Sequence, residues 1–183
     1  ESREVNAFAY AGRNLAVYTS LIEECETENE LLAVLGHEIG HIEKRHVVRS
    51  IKTNVGISIV FSALLGDFSS IATSITTNHM SREFENEADE LSVEYLYNAD
   101  IDPSGFASFM KKMLTDTFLD HIDFFSDHPA TQDRVNQSEA KVKSLPEKKY
   151  ITVLTTDEWT SFKNLLSKKQ KKSSSSDNEN EEE

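Results

Sequence analysis

Cysteine is nearly absent from this chain of 183 residues. With Cys25 alone, no internal disulfide can form and thiolate-rich zinc sites are excluded. Cys25 lies in the acidic run EECETENE, which disfavours a thiolate, so it reads as a buried small residue or an idle thiol rather than a nucleophile. The folded part lacks a basic patch as well, and the four lysines of KKQKK in the tail are met there by five acids. There are 32 acids against 19 Lys and Arg, a net charge of −13, and such a surface argues against nucleic acid as a partner. No apolar run is long enough to cross a bilayer as a helix. The uncharged stretch Thr53–Gly66 is short and is interrupted by Asn54, Gly56, Ser58 and Ser62. From Lys168 onward no residue is apolar, and a segment with nothing to bury cannot offset its chain entropy. The expected organisation is one domain over 1–166 and a disordered charged tail over 167–183. There is no internal repeat. The chain opens at Glu1 rather than Met, so a preceding segment, with room for a leader or an anchor, is expected.

The rest of the chain is patterned. NAFAYA and LAVYTS, joined through Gly12-Arg13-Asn14, read as a β-hairpin over Asn6–Ile22. Thr27 and Glu30 form a capping-box pair that opens a helix to about Ser50, with Leu31, Leu35, Ile39 (or Glu38) and Ile42 as its buried face. A further apolar stripe at helical spacing runs from Ile57 to Ile75. Phe84, Ala88, Leu91 and Tyr95 mark a helix from about Ser81 to Tyr97. Asp102-Pro103-Ser104 starts another, with Phe106, Phe109, Met110 and Met113 as core. His128-Pro129 resembles an N-cap and N1 proline ahead of a helix to about Lys143. ITVLT is expected as a strand, and Thr155 with Glu158 as the capping box of a last helix containing Trp159.

One pattern inside the first long helix carries chemistry. His37-Glu38-Ile39-Gly40-His41 is an HExxH motif. Residues four apart share a helix face, so both imidazoles can reach one tetrahedral zinc while Glu38 lies beside it as base for a hydrolytic water. Small and apolar neighbours at Leu35, Gly36, Ile39 and Gly40 direct the histidines towards a packed interior. Two histidines do not close such a site; a third protein ligand is needed. The acid-rich helix SREFENEADELSVEYL offers one. Glu85 and Asp89 are four apart, and a ligating carboxylate there would leave the second acid to orient a ligand histidine. Spacing alone does not separate Glu85 from Glu87, whereas Glu83, Glu87, Glu90 and Glu94 otherwise read as a solvated face. His46 lies five residues after His41, about 140° around an uninterrupted helix, and is read as uninvolved. His79 and His121 are read as loop or surface residues.

NAFAYAGRNLAVYTSLI, ELLAVLGHEIGHIEKRH, SREFENEAD and DHPATQDR resemble, in order, the successive blocks of one gluzincin metallopeptidase family. It comprises the HtpX heat-shock proteases, the CAAX prenyl proteases, the Oma-type mitochondrial proteases and the soluble periplasmic BepA-like peptidases. The blocks reach from Asn6 to Arg134, about 70% of the chain, and are far more specific together than HExxH alone. The resemblance implies one Zn2+ per chain, held by His37, His41 and Glu85, with Asp89 behind them and Glu38 as general base. It implies that His128 either stabilises the tetrahedral intermediate or caps the metal in a closed state, with Arg134 binding or steering the same oxyanion. The expected fold is a mainly helical α+β, zincin-like domain, its small sheet beside the HExxH helix and the Glu85 helix packed across it. Substrates are expected to be polypeptides bound in extended form along a sheet edge, drawn from misfolded or envelope proteins. The location implied is the cell envelope or periplasm. Membrane-surface association is open to it through segment 55–76 or a preceding anchor. The rival reading is a closed, low-turnover zinc-bound module with a binding or chaperone-like role.

Overall fold

The structure, a computed structural model, describes residues 6–10, 14–50, 52, 80–115 and 128–178. Strands β1 (Ala7–Tyr10) and β2 (Asn14–Val17) pair antiparallel, with Ala7 opposite Val17 and Tyr10 opposite Asn14. The expected hairpin is present but ends earlier. Tyr18 leads into a short helix, α1 (Thr19–Glu24), in place of a longer second strand. Helix α2 (Glu28–Glu43) follows, capped by Thr27, whose side chain accepts from the Glu30 amide. The reciprocal half of the capping box is redirected: Glu30 accepts from the Glu26 amide, Ser108 Oγ and Lys112 Nζ, and so fastens this turn to a later helix.

The long helix does not continue to Ser50. It closes at Lys44, and Arg45 adopts φ 54°, a left-handed conformation that ends helices. A separate helical turn over 46–50 follows.

Helices α3 (Arg82–Asn98, capped by Ser81), α4 (Gly105–Thr115), α5 (Gln132–Ser144) and α6 (Thr156–Asn178) complete the domain. Thr131, not His128, caps α5, its hydroxyl accepting from the Arg134 amide. His128-Pro129 is thereby left outside the helix. ITVLT does not form a strand: Ile151 makes a single parallel bridge to Ile101. The Thr155–Glu158 box is reciprocal, as its sequence suggests. Helix α6 runs on to Asn178, into the segment expected to be a tail. The Ile57–Ile75 stripe, the 55–76 segment, His79 and His121 lie outside the described residues. Among those residues no helix is long and apolar enough to cross a membrane.

Helix α2 sits at the centre, packed against α3, α4 and β1. The core gathers Ala7, Leu21, Cys25, Ala33, Val34, Leu96, Phe106, Phe109, Met110, Met113, Val135 and Trp159. The mainly helical α+β architecture with a small sheet beside the HExxH helix is as expected. Which faces are buried is not. In α2, Ile39 is 45% exposed while Ala33, Gly36, His37, Glu38, Gly40 and His41 are buried. In α3 the interior face is Glu85, Ala88, Asp89, Ser92, Val93 and Leu96 rather than the stripe through Phe84 and Leu91.

The cause is how closely the two helices approach. A Cβ on Gly40 would stand 3.1 Å from Ala88 Cα, and one on Gly36 would stand 3.1 Å from Ser92 Oγ. Ser92 Oγ donates to the Ala33 carbonyl at 2.6 Å. At these two points only a glycine fits on α2 without displacing its neighbours, and Leu96 and Leu91 pack against the same two glycines.

Candidate metal centre

At the end of that seam four polar side chains converge. His37 and His41 come from successive turns of α2, Glu85 from the first turn of α3, and His128 from the chain before α5. One ligand atom from each lies within 4.8 Å of all the others. His41 Nε2 is 3.0 Å from His37 Nε2, and His37 Nε2 is 3.3 Å from His128 Nδ1. His128 Nδ1 is also 3.1 Å from both Glu85 oxygens. All four residues are 5% exposed or less. Glu38 is buried beside them, its Oε1 3.5 Å from His128 Nε2. Helical spacing on α2 accounts for the two histidines facing one way. The small-residue seam accounts for Glu85 reaching them.

The surrounding shell holds these groups in place. Asp89, one turn after Glu85, sets Oδ1 2.9 Å from His37 Nδ1. Arg134 donates Nε to Asp89 Oδ2 at 2.8 Å and Nη2 to Oδ1 at 2.6 Å. Its Nη1 donates to the Pro129 carbonyl and stands 3.0 Å from Glu85 Oε2. The Arg134 guanidinium is thus engaged by two carboxylates and a carbonyl. Phe106 stacks under the His37 ring at 4.8 Å between centroids.

Burial disfavours the charged form of every group here, and the partners decide which groups carry charge. For Glu85, burial opposes ionisation, but the hydrogen bonds of His128 and His37 outweigh it and hold its carboxyl far below the usual range. For His37, burial again opposes the charge, and Asp89 and Glu85 overcome it to raise its pKa to about 9. His41 goes the other way: burial, then the neighbouring His37 and His128, push its pKa well down. Cys25, apart from the site, is pushed up to about 12, by burial first and Glu30 second.

Nitrogen donors from three imidazoles and a carboxylate oxygen, crowded within one buried space, suit zinc, which takes His and carboxylate ligands in tetrahedral geometry. The donor set of this structure fits the ion that the sequence pattern implies.

A model of peptidase family M48 matches residues 1–142. The chain belongs to that family. Among its relatives, the metalloprotease LoiP of Escherichia coli is 31% identical over 73% of this chain and 57% of its own length. The beta-barrel assembly-enhancing protease of the same organism is 28% identical over 61% of the chain and 26% of its length. The mitochondrial metalloendopeptidase OMA1 of Arabidopsis thaliana is 28% identical over 71% of the chain and 28% of its length. The chain therefore spans little more than half of LoiP and about a quarter of the other two.

His37, Glu38, His41, Glu85, Asp89, His128 and Arg134 all meet at this one place in the M48 chain. Two residues there were read otherwise from the sequence. His46 is fully buried, with its Nδ1 2.9 Å from His41 Nδ1. Glu87 is no free surface acid: it accepts from His46 Nε2 at 3.0 Å and from both Arg49 nitrogens at 2.6 and 3.2 Å. The left-handed Arg45 breaks the helix between His41 and His46 and cancels the angular argument against His46. Arg45 is neither Gly nor Asn, the residues that announce such a break, so the sequence carried no local signal of it.

The Arg134 geometry yields a stability prediction. Removing Arg134 leaves Asp89 and Glu85 in a buried place with only their histidine partners, and breaking one partner of a buried pair costs up to about 3–5 kcal/mol. In chelator-treated protein, Arg134→Ala is expected to lower the urea midpoint accordingly. Lys offers a single point of contact and no fork, so Arg134→Lys recovers only a minor part. A lysine variant as stable as the parent would show that the fork is not what holds these acids.

Proposed function

We propose that this M48 domain is a zinc-dependent endopeptidase. The convergence of His37, His41, Glu85 and His128 within 4.8 Å of one another is the observation that carries the reading. In it, His37, His41 and Glu85 hold the metal, and Asp89 and Arg134 support them from behind. Zinc in such a site supplies Lewis acidity that brings the pKa of a water towards neutrality. Glu38, buried beside the ligand cluster, would serve as general base towards a hydrolytic water and as proton donor to the leaving amine. Burial of Glu38 and of the surrounding donors excludes bulk water, which strengthens each of these interactions. Arg134 is assigned to positioning in this reading, because its donors already serve Asp89, Glu85 and Pro129; direct steering of an oxyanion would require it to leave them.

The substrate is an extended polypeptide that adds its backbone to the edge of the β1–β2 sheet, next to α2. Main-chain pairing selects unstructured segments over particular side chains, which suits misfolded or envelope proteins. The relatives in E. coli support a place in the cell envelope.

The experiment is hydrolysis of casein or a quenched peptide, with and without a chelator. Glu38→Gln is expected to keep about one zinc per chain and lose activity by several orders of magnitude, since base and metal act as a unit. Full proteolysis by a pure Glu38→Gln sample would contradict the mechanism.

His128 favours a second reading of this particular conformation. Its Nδ1 lies among the metal-facing atoms, 3.1 Å from Glu85 and 3.3 Å from His37, in the space a substrate carbonyl would need. We read this as a closed, low-turnover form in which His128 would help His37, His41 and Glu85 to hold the metal. His128→Phe is then expected to retain zinc and to cleave faster than the parent. A drop in kcat of about a hundredfold would instead assign His128 to the developing oxyanion.

A further inference from the structure

We propose that His46 and Glu87 form a positioning relay that fixes the tautomer and orientation of His41. The proposal rests on the reading of His41 as a metal ligand and extends it to residues outside the HExxH and Glu85–Asp89 motifs.

The argument starts at the outer end. Glu87 is held by Arg49 through both of its oxygens, at 2.6 and 3.2 Å. A carboxylate only accepts, so the His46 nitrogen 3.0 Å from Glu87 Oε2 must carry a hydrogen. That nitrogen is Nε2. In a neutral imidazole the other nitrogen, Nδ1, is then an acceptor. His46 Nδ1 lies 2.9 Å from His41 Nδ1, so His41 must supply the hydrogen there. His41 Nε2 is left with its lone pair, and it is Nε2 that faces His37 and Glu85 at 3.0 and 3.5 Å. Each link dictates the next, and the chain ends with the lone pair a metal requires.

The relay is also held rigidly. The His46 ring stacks on Phe84 at 4.5 Å with the planes 3° apart, and the Arg49 guanidinium lies 4.4 Å from the same ring. Phe84, Glu87, His46 and Arg49 thus clamp the 46–50 turn onto α3. His37 receives equivalent support from Asp89. The two ligand histidines therefore have different backing groups: a carboxylate directly behind His37, and an imidazole followed by a carboxylate behind His41.

The test is zinc affinity, read by competition with a chromophoric chelator, together with the visible spectrum of the cobalt-substituted protein. His46→Phe keeps the ring on Phe84 and removes both nitrogens. It is expected to weaken zinc binding by about 10- to 100-fold and to change the cobalt bands, the range for lost support of a metal ligand. His46→Asn keeps an acceptor near the Nδ1 position and should recover most of that loss. Glu87→Ala, at a half-buried position, should weaken binding in the same direction and serves if His46→Phe does not fold. Zinc affinity and cobalt spectra unchanged in His46→Phe, or in Glu87→Ala where only that variant folds, would overturn the relay, even if the melting temperature falls. A parent protein that takes up no zinc would instead defeat the metal reading beneath it.

Discussion

The metal centre depends on how closely two helices can approach. Gly36 and Gly40 of α2 meet Ser92 and Ala88 of α3 so closely that an added Cβ would stand 3.1 Å from them, and Ser92 Oγ donates to the Ala33 carbonyl. That contact delivers Glu85 to the histidines and Asp89 to the back of His37. The HExxH motif and the Glu85–Asp89 pair are usually described by their polar residues. In this chain the glycines and small residues between those polar positions perform the structural task, because they set the distance across which the donors must reach. A methyl group added at Gly40 would press on the backbone of Ala88, so the strain would pass directly to the helix that carries Glu85.

A second constraint follows from that closeness. Bringing three imidazoles and several acids into a buried space is costly unless each charge finds a partner. Arg134 answers Asp89 and Glu85 together, and Glu87 is answered by Arg49 and His46. Glu30, at the other end of α2, is answered by Lys112, Ser108 and the Glu26 amide. Glu30, Asp89 and the half-buried Glu87 are thus each tied to a cation or a donor on another element. The same ties that neutralise charge also join α2 to α4, and α3 to α5 and to the 46–50 turn.

Much of this was legible in the sequence. Helical spacing within HExxH and the Thr155–Glu158 box each depend on residues close together in the chain, and such local geometry follows from helix dimensions, whereas the choice of Glu85 over Glu87 came from the family resemblance. The hairpin and the Phe106–Met113 core were equally local. The failures share a cause. Phe84, and Ile39 as the apolar choice beside Glu38, were assigned to buried faces because they are bulky, yet which face is buried depends on how closely two helices approach rather than on one helix alone. His46 was dismissed on the angle of an unbroken helix, and the left-handed Arg45 breaks it. His128 looked like a cap because Pro129 follows it, while Thr131 was the better cap three residues on. Where the outcome turned on a second element, single-helix periodicity could not supply it.

All of these contacts gain their meaning from a metal ion, and metal content is the direct measurement. Elemental analysis of the purified chain, loaded with zinc and then dialysed free of excess, is expected to give about one zinc per chain, and that zinc is expected to be absent from a folded Glu85→Gln variant. A parent protein that is folded and retains no zinc, or a Glu85→Gln variant that retains as much as the parent, would contradict the account.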